Sequence, residues 1–184
     1  MKFGIGQAVK RVEDKVLITG TGNFTDDVNV GEGMAIHFVR SAHAHAKVKH
    51  INFEEASKRS GVKLIATQKE LDDENIGEIE CLDLVTNSDG SEISPSARPP
   101  MARGVVRCAG DIVAMVVAET KEQALDAAEL IEIDYDAMPA VVDTKSALAP
   151  NVPQLYTQYP GNQVFHWQAG NHDETMQQFE TACM

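Results

Sequence analysis

The chain has 184 residues, 43% hydrophobic and 24% charged, which suits one folded domain with appendages and excludes wholesale disorder. Its 28 acidic residues against 16 Lys plus Arg give a formal charge of -12 and a pI near 4.8, a balance that opposes binding to nucleic-acid phosphates or anionic membranes. Cys81, Cys108 and Cys183 are odd in number, widely spaced and form no CxxC pair, so they suggest no disulfide framework and no zinc or iron–sulfur site; reduced, mostly structural thiols are expected. The longest apolar stretch, around Ile112 to Ala118, is too short to cross a bilayer, and the start MKFGIGQAVKRVEDK lacks the apolar segment of a signal peptide, so a cytoplasmic location is expected.

Residues Gly4 to Val30 are rich in Gly, Asp and Thr and predict an extended lead-in with turns around Gly20 and Gly22. Short apolar runs from Met34 to Arg40 and from Lys47 to Phe53 predict two strands. Phe53 to Ser60 predicts a short helix ended by Gly61, with Glu54 and Glu55 in its first turn and Lys58 and Arg59 in its last. Val62 to Ala66 reads as a strand, and Thr67 followed by Glu70 is a capping-box spacing that opens a helix over Gln68 to Asp73.

Residues 75–104 form the least regular part. Asn87 to Gly90 make a turn cluster, and Pro95, Pro99 and Pro100 exclude a regular helix or central strand. This long excursion suits a lid, a partner contact or an insertion with no direct role.

The run from Asp111 to Asp143 has the strongest local logic. Ile112 to Ala118 is a nearly unbroken apolar run of strand length, which predicts a central strand buried on both faces. Thr120 with Gln123 closes a second capping box, and Ala124, Ala127, Ala128 and Ile131 repeat at helical spacing, so that stripe faces the sheet. Glu132, Asp134 and Asp136 then alternate with Ile133 and Tyr135, a strand with one wet face, ended near Pro139. Beyond it, Pro150, Pro153 and Pro160 punctuate a segment holding Tyr156, Tyr159, Phe165 and Trp167, read as an extended tail laid across a surface. Asp173 to Met184 starts an amphipathic helix with Met176, Phe179 and Ala182 on one side.

No residue earns a catalytic, cofactor-binding or metal assignment. His43 and His45, with His37 and His50 nearby, invite a metal reading; a third ligand and a second shell are not identifiable, so metal binding is the minor alternative to a structural role. The glycines at 4, 6, 20 and 22 fail the dinucleotide fingerprint. Asp26 with Asp27, and Asp72 with Asp73, read as solvated turn residues rather than proton-sharing pairs. GxSxG, GxxxxGK and HExxH motifs are absent from the sequence, so hydrolase readings have no local support.

Three stretches together, GTGNFTDDV (20–28), FVRSAHAHAKV (38–48) and the run from Gly110 through Asp143, resemble the N-terminal α/β-hammerhead domain of the molybdenum hydroxylase large subunits, the xanthine dehydrogenase, aldehyde oxidase and carbon monoxide dehydrogenase family. The resemblance covers most of Arg11 to Asp143 and extends loosely through Asn162 to Ala182. It implies an α+β hammerhead with a mixed sheet, two principal helices and an extended C-terminal tail. The implied division is a lead-in at 1–30, the hammerhead at 31–145, and a tail at 146–184 that begins the next, molybdenum-binding region.

Beside the resemblance, Gly20 and Gly22 are expected to turn the chain before Phe24 enters the core, Asp26 and Asp27 to bond nearby backbone, and Arg40 to pair with a carboxylate. Ala42 stands where the family usually has proline, which should loosen one turn. The resemblance makes His43 and His45 structural or interfacial.

The resemblance further implies a whole enzyme that oxidises aldehydes, N-heterocycles or carbon monoxide at a molybdenum-pterin centre. Its partners would be the molybdenum-binding remainder of the large subunit and subunits carrying iron–sulfur clusters and FAD. The family's cofactor-binding glycine-rich segments and catalytic glutamate do not occur in this chain, so it is expected to be inactive alone and to hold no cofactor. Uncovered interface leaves room for self-association. The alternative is a free-standing binding or assembly module with the hammerhead fold and no enzyme activity.

Overall fold

The computed structural model describes residues 6, 8, 10–28, 31, 33–82, 86–93 and 98–182. Cys183, Pro95 and Gly4 lie outside the described residues. The chain divides into two units, Met1–Gly33 and Met34–Met184.

In the first unit, helix α1 (Asp14–Ile18) is closed by Thr19, whose N–H and hydroxyl both donate to the Lys15 carbonyl, at 3.2 and 2.7 Å. Gly20 then takes a positive φ of 70°, a turn open to glycine at little steric cost. The Asp27 carboxylate accepts from the Phe24 N–H at 3.0 Å, the local bond expected of Asp27; the side chain of Asp26 lies outside the described residues. Phe24 itself is 64% exposed, against the expectation that it enters the core, and no described residue of this unit is buried.

The second unit holds strands β1 (Ala35–Arg40), β2 (Ala46–Asn52), β3 (Val62–Ala66), β4 (Val105–Val106), β5 (Ile112–Ala118) and β6 (Glu132–Ala137). Its helices are α2 (Glu54–Ser57), α3 (Gln68–Asp73), α4 (Lys121–Ala128), α5 (Thr144–Ala147) and α6 (His172–Thr181). The α+β class is as expected, but the sheet differs in kind. In place of one mixed sheet there are two of three strands, β1-β5-β3 and β4-β2-β6, and every ladder is antiparallel. The physical reason lies in the connections: β1 and β2 are consecutive yet belong to different sheets, and the SAHAHA turn between them carries the chain across.

Both capping boxes form. Glu70 accepts from the Thr67 N–H at 2.7 Å and Gln123 from the Thr120 N–H at 3.1 Å, while the threonine hydroxyls accept from Lys69 and Gln123 N–H groups. Each box satisfies N–H groups that a helix start leaves without partners.

α4 lays Ala124, Ala127 and Ala128 on the first sheet, burying Val116 and Ala118 of β5 and Ile65 of β3 in one cluster with Ala56. Alanines let the helix approach closely, so three small side chains seal a strand pair. A second cluster joins Ala46, Val106 and Val113. Val39 packs against both clusters, and β5 feeds both through Val113 and Val116. On β6 the acidic residues Glu132, Asp134 and Asp136 face water, while Ile133 and Tyr135 pack on the second cluster.

Candidate functional site

The second unit carries a groove of about 670 Å³ between the segment 98–112 and the tail at Leu155 and Tyr156. Arg40, Arg98, Arg103 and Arg107 line it with Asp111, a local concentration of positive charge in an acidic chain. Pro99 and Pro100 bring the excursion back, and Met101 is buried with its N–H donating to the buried Gln68 side chain at 2.9 Å. The same Gln68 amide donates to Asp72 at 2.8 Å, so α3 holds the groove's floor.

Each arginine is engaged inside the chain. Arg103 reaches Asp72 through Nε and Nη2, at 3.2 and 2.7 Å, and Glu78 through Nη1. The hydrogen bonds from Asp72 and Glu78 raise the Arg103 pKa further. Arg107 donates to the Leu155 carbonyl at 2.7 Å and lies 4.5 Å from the Tyr156 ring centroid, a cation–π contact that pins the tail. Arg40 donates to the Gly110 carbonyl at 2.9 Å, a backbone oxygen rather than the carboxylate expected. Arg98 contacts Asp111 at 3.2 Å.

Asp111 is the knot. Its Oδ2 accepts from the N–H groups of Arg107 and Cys108, at 2.7 and 3.1 Å, and its Oδ1 from the Cys108 thiol at 2.9 Å. Burial pushes this carboxyl up, but the Cys108 and backbone hydrogen bonds, with the Arg98 charge, outweigh it and leave the pKa below the usual value. The bond to Asp111, then burial, pushes the Cys108 thiol up. A thiol raised in this way is poor in thiolate at neutral pH and makes an inert side chain rather than a nucleophile. Cys81 and Cys108 are both exposed and outside any disulfide, since they fall in the excursion and in a turn instead of on a core-facing stripe.

The histidines do not converge. His45 is buried, with Nδ1 donating to the Pro139 carbonyl at 2.8 Å, and His43 packs tilted against Tyr135 with ring centroids 4.7 Å apart. Both lie in the turn before β2, where the alternation that would aim them at one point does not apply. His37 sits on β1 and His50 on β2, in different sheets. A second pin holds the tail farther on: Ser88 N–H donates to the His166 carbonyl and His166 N–H to the Asn87 side chain, each at 2.8 Å.

A molybdenum-pterin group needs an enclosing site with many convergent polar groups. The groove is open, Arg40, Arg98 and Arg103 are exposed, and the guanidinium groups bond to partners within the chain, so the residues present do not fit that group. Among the described residues, no set of three or more His, Cys, Asp or Glu could hold a metal ion. The site is a structural junction. Of its arginines the sequence singles out only Arg40; Arg98, Arg103 and Arg107 fall in an irregular stretch, although their clustering in ARPPMARGVVR is a signal.

The family described as aldehyde oxidase and xanthine dehydrogenase, a/b hammerhead domain, matches residues 19–139. The chain belongs to this family. Among hammerhead relatives, the carbon monoxide dehydrogenase large chain of Afipia carboxidovorans is 31% identical over 97% of this chain and 22% of its own length. A 6-hydroxypseudooxynicotine dehydrogenase complex subunit gamma from Paenarthrobacter nicotinovorans is 34% identical over 80% of this chain and 18% of its own. A crystal structure of a Cu,Mo-CO dehydrogenase superposes with a TM-score of 0.68 and 31% identity, over 97% of this chain and 23% of that one. The chain thus spans about a fifth of the length of the curated relatives it matches. Among the described residues, no helix is long and apolar enough to cross a membrane.

Proposed function

We propose that the chain is the N-terminal scaffold of a molybdenum-pterin hydroxylase or dehydrogenase large subunit and contains no catalytic, cofactor-binding or metal-ligating residue. The observation that carries this reading is the 31% identity along 97% of the chain to a large chain of which it makes up 22%. The complete enzyme would oxidise an aldehyde, an N-heterocycle or carbon monoxide, in the cytoplasm, with electrons passing to subunits carrying iron–sulfur clusters and FAD.

In this reading residues 1–30 are a lead-in, 31–145 the hammerhead and 146–184 a connection toward the molybdenum-binding portion. The chain's own work is mechanical. α4 stiffens the first sheet, Asp111 fixes the turn before β5, and Arg107 with Tyr156 sets the path of the tail.

The test is to recover the tagged chain from its native host and measure molybdenum in the co-purified material. Stoichiometric molybdenum arriving with a larger polypeptide is the expected result. Absence of both would make the chain a free-standing module and remove the oxidoreductase role.

A further inference from the structure

The first sheet has one face sealed by α4 and one face that is partly open. Successive residues of a strand point to opposite faces. The row His37, Val116 and Ile65 lies on the side that α4 covers. The next row, Ile36, Val117 and Leu64, points the other way, as does the row Phe38, Met115 and Ala66 beside it. Ile36 is 54%, Leu64 49% and Phe38 41% exposed, while Met115 and Val117 are half-buried. Ala66 is buried, and the other five side chains form an uncharged, partly exposed surface across three strands of a protein in which 24% of residues are charged.

The geometry points to this open face, centred on Ile36, Phe38 and Leu64, as the surface on which the remainder of the large subunit packs; the inference rests on the reading of the chain as one piece of such a subunit. Three observations select that occupant. The face lies within residues 19–139, the part of the chain that matches the hammerhead family, and about four fifths of the carbon monoxide dehydrogenase large chain falls outside the match. A charge-depleted, strongly apolar surface suits a permanent interface, whereas electron-transfer encounters with separate subunits are smaller and more polar. The arginine groove, the other large concavity, already bonds to partners within the chain.

A second copy is the poorer occupant. Each copy carries a formal charge of -12, so bringing two together opposes like charge to like charge.

Hydroxyl-radical footprinting of the unmodified chain tests this without any substitution. Oxidation rates at Phe38, Leu64 and Met115 are read by mass spectrometry in the isolated chain and in the complex recovered from the native host. Side chains at an interface core are packed as tightly as a protein interior, so the rates at Phe38 and Leu64 are expected to fall about fivefold or more in the complex.

A molybdenum-containing complex in which either residue falls less than this overturns the assignment of the face and leaves the proposed function standing. Recovery of no larger polypeptide overturns both. Protection already present in the isolated chain and relieved by dilution would make a second copy the occupant, which also overturns the inference.

Discussion

The two faces of the β1-β5-β3 sheet are built from similar residues and meet different fates. On one, Ile65 and Val116 are sealed beneath the alanines of α4; on the other, their immediate neighbours in sequence, Leu64 and Val117, are exposed and half-buried. Hydropathy is thus a demand for burial and not a statement of what provides it. A strand such as Ile112 to Ala118, apolar on both sides, asks for two covers; α4 covers Val116 and Ala118, the second cluster takes Val113, and Met115 and Val117 stay half-buried.

Adjacent substitutions on β3 sharpen the contrast most. In the isolated chain Ile65→Ala should lower stability by about 2–5 kcal/mol, the usual range for truncating a core aliphatic. Leu64→Ala should lower it by less than about 1 kcal/mol, because half of that side chain is already in water. Urea unfolding of the two variants measures the difference, and equal losses would mean that the two faces are not distinct.

The covered face also depends on how α4 begins. Gly61 has a φ of +83°, and a Cβ there would sit 2.2 Å from the Gln123 side chain that closes the capping box. Its carbonyl accepts from the Glu119 N–H at 3.0 Å. Gly61→Ala should therefore destabilise by about 2 kcal/mol, combining left-handed strain with displacement of the cap. Gly90→Ala, with φ +84° and nothing within 4 Å, should lose only about 1 kcal/mol of strain. Equal thermal midpoints for the two variants would show that the Gln123 contact contributes nothing.

Asp111 anchors the end of β5 that both faces share. Its folded pKa lies below the ordinary 3.8, so its contribution is fully present above the unfolded value and is lost as pH falls through the folded one. Asp111→Asn should remove about 1–2 kcal/mol at neutral pH, in the range for hydrogen bonds to a charged group, and flatten the acid limb of the stability curve. Chemical denaturation across pH 3 to 7, the range spanning carboxylate titration, reads both effects. An unchanged acid limb would remove Asp111 as the anchor.

The smallest effect is expected in the second sheet. The buried Tyr135 hydroxyl is without a hydrogen-bond partner among the described residues, so Tyr135→Phe should change stability by no more than about 0.5 kcal/mol, in either direction. A loss well beyond that in a thermal melt would show that the hydroxyl is bonded in solution.

Much of the second unit was legible in the sequence, and for local reasons. β3, α3 and β5 fall on the expected residues, because the period of apolar residues and a hydroxyl bonding three residues ahead are both written within a few positions. The junction was less legible. The Arg107 contact to Leu155 spans 48 residues and the His45 contact to Pro139 spans 94, and no short pattern encodes either. Phe24 misled because an aromatic among turn residues signals burial only when a surface is there to receive it.

By itself the sequence determined the starts of α3 and α4, the lengths of β3 and β5, the alanine stripe of α4 and the membership in the hammerhead family, since these depend on spacing along the chain; the helix α1 in the expected extended lead-in, and α5, were not legible. The tertiary structure alone decided that the strands separate into two antiparallel sheets, that four clustered arginines serve as internal ties, and which face of β5 the helix covers. Those outcomes depend on which distant segments meet, and meeting is a matter of shape and solvent exclusion that no local period records.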